Sequence, residues 1–183
     1  MFITLAGHLG SGKSAVSRIL RDKYGYEIHT TGSIMRRLAE EKGMSIVDFN
    51  IYAKDHPEVD DLIDNSTIEL GKKSVGKKVI YDSRLAWHFL PYSFKVILTI
   101  NPRTAAERVY NANRGAVEKY ACIEDAQKAL ATRTNEELTR FQTLYGQNIF
   151  DEKNFDLVVD TTIISAEQVA DKIYAAAKKF YEN

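Results

Sequence analysis

The chain has a single cysteine, Cys122, among its 183 residues. An intramolecular disulfide is therefore excluded, and a cysteine-based zinc site is not expected. A reducing cytoplasm is the expected compartment. An excess of charge is also missing, because 25 Lys and Arg balance 25 Asp and Glu. Such a balance offers no basis for broad adhesion to nucleic acid or to an anionic membrane, although a pocket needs only a few arginines. No apolar run approaches the ~18 residues of a transmembrane helix. The opening segment MFITLAGHLG has no basic stretch and only a short apolar run, so it reads as a strand and not as a signal peptide. Repeats, low-complexity tracts and Pro/Gly/Ser-rich linkers are absent, and no domain boundary shows. The length suits one domain over 1–183 with a sizeable core.

What is present is an alternation of short apolar runs and amphipathic stretches. Strands are predicted at Phe2–Ala6, Tyr26–Thr30, Val79–Tyr81, Phe94–Ile100 and Phe155–Val159. Between them the spacing predicts helices over Lys13–Tyr24, Ser33–Lys42, Glu58–Ser74, Pro102–Tyr110 and Ile123–Leu144, with a last helix after Ser165. Gly25, Gly43 and Gly146 stand where helices should stop, and Ser45 with Asp48 resembles a capping start. Residues 111–120 have little apolar pattern and contain Gly115, so a mobile surface segment is expected there. The fold class implied is α/β with a five-stranded, mostly parallel sheet in three layers.

The strongest motif is Gly7-His8-Leu9-Gly10-Ser11-Gly12-Lys13-Ser14, which satisfies G-x-x-x-x-G-K-[ST] at every fixed position. Gly7 and Gly12 let the backbone turn so that its N–H groups face a phosphate, and Gly10 adds freedom. The helix that follows offers its positive end to the same anion. Lys13 supplies a charge for the β- and γ-phosphates and Ser14 an oxygen for Mg²⁺. The expected ATP-binding segment is thus Gly7, His8, Leu9, Gly10, Ser11, Gly12, Lys13, Ser14 and Ala15. The motif lies between an apolar strand and a helix, which is the context it requires.

Asp82 ends the third predicted strand and can hold a Mg²⁺ water beside Ser14; an Asp capping the next turn is the plainer reading. Arg36, Arg37 and Arg84 follow strands, and Arg133 and Arg140 lie seven apart on one helix face. Guanidinium forks match the charge of a transferring phosphoryl group. Taken singly, each arginine also fits a solvated face or an ion pair, and Glu136 and Glu137 stand close to the last two. Trp87 reads as core or pocket wall, and His88 has no partner at ligand spacing.

These segments resemble the nucleoside monophosphate kinases and, within them, the archaeal-type cytidylate kinases. Thr31-Gly32-Ser33-Ile34-Met35-Arg36 is similar to the family's acceptor turn and helix. Asp82-Ser83-Arg84-Leu85-Ala86 is similar to its acidic-Gly-Arg-Leu-Ala strand end. Arg133 through Tyr145-Gly146 is similar to its lid helix, and Asp156–Thr161 to its last strand, near the donor adenine. The resemblance implies a P-loop NTPase fold with an acceptor-binding insertion over about 31–75 and a lid over about 111–140. It implies Lys13, Arg133 and Arg140 as catalytic groups, and Arg36, Asp82 and Arg84 at the acceptor. Ser14 and Asp82, the latter through water, would serve the Mg²⁺ that accompanies ATP. The sequence departs from the family at Ser33, where Asp is common, at Ser83, where Gly is common, and at the bulky Trp87-His88-Phe89.

The function implied is transfer of the γ-phosphate of ATP to a pyrimidine nucleoside monophosphate, CMP or dCMP, in the cytoplasm by a monomer or homodimer. Nucleic acid and membrane are not expected partners. Two alternatives stay open from the residues alone. One is another small-molecule P-loop kinase of the dephospho-coenzyme A, shikimate or gluconate type, whose hydroxyl acceptor needs a catalytic carboxylate. The other is a nucleotide-binding regulator with weak turnover.

Overall fold

The computed structural model describes residues 1–112 and 120–182. Five strands, β1 (Phe2–Gly7), β2 (Glu27–Thr30), β3 (Val79–Asp82), β4 (Phe94–Thr99) and β5 (Leu157–Asp160), form one sheet in the order β2-β3-β1-β4-β5. Every neighbouring pair is parallel, so the expected mostly parallel sheet is parallel throughout. Such a sheet must be covered on both faces, which is why β1 is buried along its whole length.

The pleat of β1 sends alternate residues to opposite layers. Ile3 and Leu5 join Ile80, Val96 and Leu98 against α1 (Lys13–Tyr24) and α8 (Ala166–Glu182), whose Val16, Leu20, Val169 and Ile173 complete that core. Phe2 and Ala6 face the other layer. There Tyr81 and Leu90 pack with Phe2, while Ile97, Trp87 and Ile149 pack with Ala6. Leu138, Phe141 and Tyr145 from α7 (Ile123–Tyr145) close over the second group, so the C-terminal half of that helix is anchored on the core.

Helices α2 (Thr31–Glu41), α3 (Ile46–Asp55) and α4 (Glu58–Lys73) share a separate small core of Ile34, Leu38, Phe49 and Val59. A four-residue helix, α5 (Ala86–Phe89), follows β3, and α6 (Pro102–Asn111) follows β4. The local signals acted as expected. Gly25 and Gly146 end α1 and α7 in the left-handed conformation, and Ser45 caps α3 through the Asp48 amide. The segment expected to be mobile falls largely on 113–119, outside the described residues.

Two boundaries moved for local reasons. α2 begins two residues earlier than its pattern predicted, because Thr30 and Ser33 form a reciprocal capping box over its first turn. β5 begins two residues later, because a short 3₁₀ turn over Glu152–Asn154 delivers Phe155 to the core before pairing starts.

Candidate active site

The parallel pairing places the ends of β1, β2 and β3 side by side. Asp82 is level with Leu5 on one side and Thr30 on the other, and Gly7 is level with Leu98. The loop after β1 therefore starts next to the carboxyl end of β3, the usual place for a ligand in an open α/β sheet.

The loop itself is shaped by its glycines. A Cβ on Gly7 would stand 2.9 Å from the Leu98 carbonyl oxygen and 2.9 Å from Ser11 Oγ. Gly10 and Gly12 have φ of 78° and 87°, in the region that excludes most side chains. The Ser11 amide donates to the His8 carbonyl at 3.2 Å, closing the turn. Among the described residues, the amides of Gly10, Gly12, Lys13 and Ser14 donate to no protein acceptor. Ser11 Oγ is buried and also lacks a partner. Donors converging at a helix N-terminus make a cradle for a polyphosphate.

Cations gather at this cradle. Lys13 Nζ donates to the Gly7 carbonyl at 3.3 Å, and Arg84 Nη1 donates to the same oxygen at 2.5 Å. Arg84 Nε donates to Glu137 Oε2 at 2.7 Å, and Arg133 Nε lies 3.3 Å from Glu137 Oε1. Three cations thus surround two carboxylates, Glu137 and Asp82. Burial, followed by the Arg84 charge, pushes the Lys13 ammonium down to about 8, against the pull of Asp82 and Glu137. Burial pushes the Asp82 carboxyl up, opposed by Lys13 and Arg84. Ser17 Oγ, buried and without a partner of normal hydrogen-bond geometry, also lies near enough to favour the ionised form of Asp82. Among the described residues, three cations thus stand beside two carboxylates at the cradle, which suits it to an anion.

Ser14 is exposed at the first turn of α1, and its carbonyl accepts from Arg18 Nε at 3.1 Å. Its hydroxyl and the Asp82 carboxylate offer oxygen only. Oxygen donors of this kind fit a hard cation such as Mg²⁺. His8 stacks on Phe150 with ring centroids 4.3 Å apart. On that side of the loop a second cavity of about 270 Å³ is lined by His8, Leu9, Pro102 and Leu130.

On the other side of Arg84 opens a cavity of about 280 Å³ between α2, α4, α7 and the turn after β3. Thr31, Ser83 and Arg84 form its wall near the sheet, and Asp60, Asp64, Arg140 and Tyr145 lie on the α4 and α7 side. Arg140 Nη2 donates to Asp60 Oδ1 at 2.5 Å, and Tyr145 Oη donates to Asp64 Oδ2 at 2.8 Å. These two contacts strap α7 to α4 across the cavity. Arg36 stands exposed on α2, beside Gly32 and outside this wall. The geometry therefore brings Lys13, Asp82, Arg84 and Arg133 together, holds Arg140 against Asp60, and leaves Arg36 at the periphery.

The unusual residues have local explanations. Ser33 completes the capping box of α2, and its Oγ donates to the Thr30 carbonyl at 2.7 Å. Ser83 Oγ accepts from Thr31 Oγ1 at 3.1 Å, tying the turn after β3 to the start of α2. Trp87 is buried and its Nε1 donates to the Arg84 carbonyl at 3.0 Å, so it holds the backbone that carries the arginine. Sequence reading put Asp60 and Asp64 within the expected acceptor insertion and Tyr145 after the expected lid helix, but gave none of the three a role in the cavity. The i, i+4 spacing of the two acids on α4 was the available signal.

A phosphate cradle between β1 and α1 in a parallel sheet defines a P-loop protein of the nucleotide-binding α/β class. The chain belongs to the cytidylate kinase-like family, whose sequence model matches residues 2–163. It is 38% identical over 174 residues to a cytidylate kinase of Thermoplasma volcanium, spanning 93% of this chain and 87% of that protein. It is 34% identical over 183 residues to a cytidylate kinase of Pyrococcus abyssi, covering 100% and 96%. A third relative, an S-adenosylmethionine-dependent nucleotide dehydratase of Lacinutrix mariniflava, is 34% identical over 173 residues. That match takes in 93% of this chain but only 34% of the dehydratase, so the chain spans about a third of that protein's length. Among solved structures, the shikimate kinase of Bacteroides thetaiotaomicron superposes with a TM-score of 0.61 at 13% identity, over 94% of this chain and 96% of that one. A likeness at that identity concerns the fold alone.

Proposed function

We propose that this protein is an ATP-dependent nucleoside monophosphate kinase that phosphorylates CMP or dCMP. The observation that carries the reading is Arg84, which spans from the carbonyl of Gly7 in the phosphate loop to Glu137 on α7 and walls the neighbouring cavity. One guanidinium thus stands between a donor-phosphate cradle and a compartment for the acceptor. Lys13, Arg84 and Arg133 lie at the junction, where negative charge develops during transfer.

In this reading the acceptor's phosphate oxygen attacks the γ-phosphorus in line, and ADP leaves. The attacking phosphate is already ionised near neutral pH, so no general base is required. Lys13, Arg84 and Arg133 align and neutralise the two phosphate groups. Arg140 joins them by leaving Asp60 when α7 closes over substrate, and Arg36 grips the acceptor from α2. Ser14 and, through water, Asp82 would hold the Mg²⁺ that accompanies ATP, and it would supply charge neutralisation for the transferring phosphoryl group. Closure of α7 excludes water and so suppresses ATP hydrolysis. The relatives named cytidylate kinase favour cytosine as the acceptor base. No described helix is long and apolar enough to cross a membrane.

An ADP-release assay with CMP, dCMP, UMP, AMP and GMP tests the proposal. Release with CMP or dCMP is expected. Release only with shikimate or another hydroxyl acceptor would move the protein to a different kinase group. Tight ATP binding without release for any acceptor would make it a nucleotide-binding regulator.

A further inference from the structure

The acceptor cavity is chemically lopsided. Beside the sheet it offers Arg84 and the hydroxyls of Thr31 and Ser83. On the α4 and α7 side it offers Asp64, Thr67, Tyr145, the Asp60–Arg140 pair and the apolar wall of Ile63. Phosphate belongs at the first end, where Arg84 reaches from the phosphate loop to Glu137. The second end must therefore face the remainder of the acceptor.

Apart from Arg140, which Asp60 holds, hydrogen-bonding capacity at that second end is dominated by acceptors. Tyr145 Oη already donates to Asp64 Oδ2, which leaves Asp64 Oδ1 and the second lone pair of Oδ2 open. Thr67 Oγ1 donates to the Ile63 carbonyl at 2.9 Å, so its lone pairs alone remain to serve the cavity. Burial pushes the Asp64 carboxyl up to about 6, with Asp60 and Asp61 adding to the rise and Tyr145 and Arg140 opposing it. A partly desolvated acceptor of this kind is left unsatisfied by a ligand carbonyl oxygen, and is satisfied by an N–H donor.

Cytosine and uracil differ in this respect. At position 4 cytosine carries an amine, a donor, whereas uracil carries a carbonyl, an acceptor. The geometry points to Asp64 as the specificity-determining residue, accepting a hydrogen bond from the exocyclic amine of cytosine, with Tyr145 as the positioning residue that holds its carboxylate. This rests on the acceptor reading of the cavity and extends it from a monophosphate to a particular base edge. Thr67 contributes a further acceptor along the same wall.

The test compares CMP with UMP in the unmodified chain, in Asp64→Asn and in Tyr145→Phe. Steady-state turnover and calorimetric binding are both measured. Asparagine keeps the shape and one oxygen for Tyr145, but its amide nitrogen can donate to the uracil carbonyl. The CMP-to-UMP ratio of kcat/KM is expected to fall about 10- to 100-fold in Asp64→Asn, with the KM for ATP unchanged. In Tyr145→Phe the KM for CMP is expected to rise about threefold to tenfold with kcat nearly constant, because the carboxylate is held less well. A CMP-to-UMP ratio within about twofold of the unmodified chain in Asp64→Asn overturns the assignment, as does an unmodified chain that prefers UMP. If the unmodified chain releases no ADP with any monophosphate, the kinase reading fails. The calorimetric CMP-to-UMP ratio in the same proteins then still decides the role of Asp64.

Discussion

Replacing Lys13 by methionine should destroy activity and yet make the nucleotide-free protein more stable. The ammonium is partly buried, shares the Gly7 carbonyl with Arg84, and is pushed down to about 8 from 10.5. A fall of about 2.5 pH units at about 1.4 kcal/mol each gives an upper limit of about 3.4 kcal/mol. Residual solvent screening and the lost hydrogen bond reduce this to about 1–2 kcal/mol. In a domain of this size the melting temperature should rise by about 3–6 °C at about pH 7. The pH dependence has a definite sign. Between about pH 8 and pH 10.5 the unfolded chain still binds the proton that the folded chain has released, so the unmodified protein gains stability as pH rises. The advantage of Lys13→Met should therefore shrink over that range. Thermal melts near pH 7 and near pH 9.5, each with and without Mg-ATP, provide the assay. ATP should stabilise the unmodified chain far more than the variant. A variant that melts lower at neutral pH, or a gap that does not change with pH, would refute the account of Lys13 as a strained cation awaiting phosphate.

Other substitutions test other parts of the site. Arg84→Lys keeps the charge but cannot reach Gly7 and Glu137 together, so kcat should fall by about 100-fold in a steady-state assay. Arg36→Ala, at an exposed position, should change stability by less than about 0.5 kcal/mol while raising the KM for CMP. An effect on the KM for ATP alone would place Arg36 on the donor side. Gly10→Ala places a Cβ 2.9 Å from Ala105 Cβ at a φ of 78°. It should lower stability by about 2–3 kcal/mol in urea unfolding, with loss of ATP binding.

Much of the fold was legible because its signals are local. Gly25 and Gly146 mark helix ends because they can adopt positive φ. Ser45 marks a start because its side chain reaches an amide three residues on. Gly7 through Ser14 shape a phosphate loop within one turn. Ser33 illustrates the converse: it looked like a lost acidic residue, and the capping box it forms with Thr30 is visible only once the backbone is folded. Trp87 likewise acquired its role, holding the Arg84 carbonyl, from the packing around α5.

The long-range pairing of charges lay beyond sequence reading. Glu137 stands four residues from Arg133, and that ion pair was foreseeable. Its second oxygen, however, takes Arg84 from 53 residues away. Arg140, read beside Glu136 and Glu137, meets Asp60 from 80 residues away. The amino-acid sequence alone determined the alternation of strands and helices, the phosphate loop and the identity of the cations. The tertiary structure decided which cation meets which carboxylate, that Asp64 and Tyr145 share a wall, and that Arg36 lies at the rim. Hydrogen-bonding and steric preferences act over a few residues and can be read in order along the chain. Electrostatic pairing and desolvation depend on distance in space, and that distance is set only when the sheet and its helices have packed.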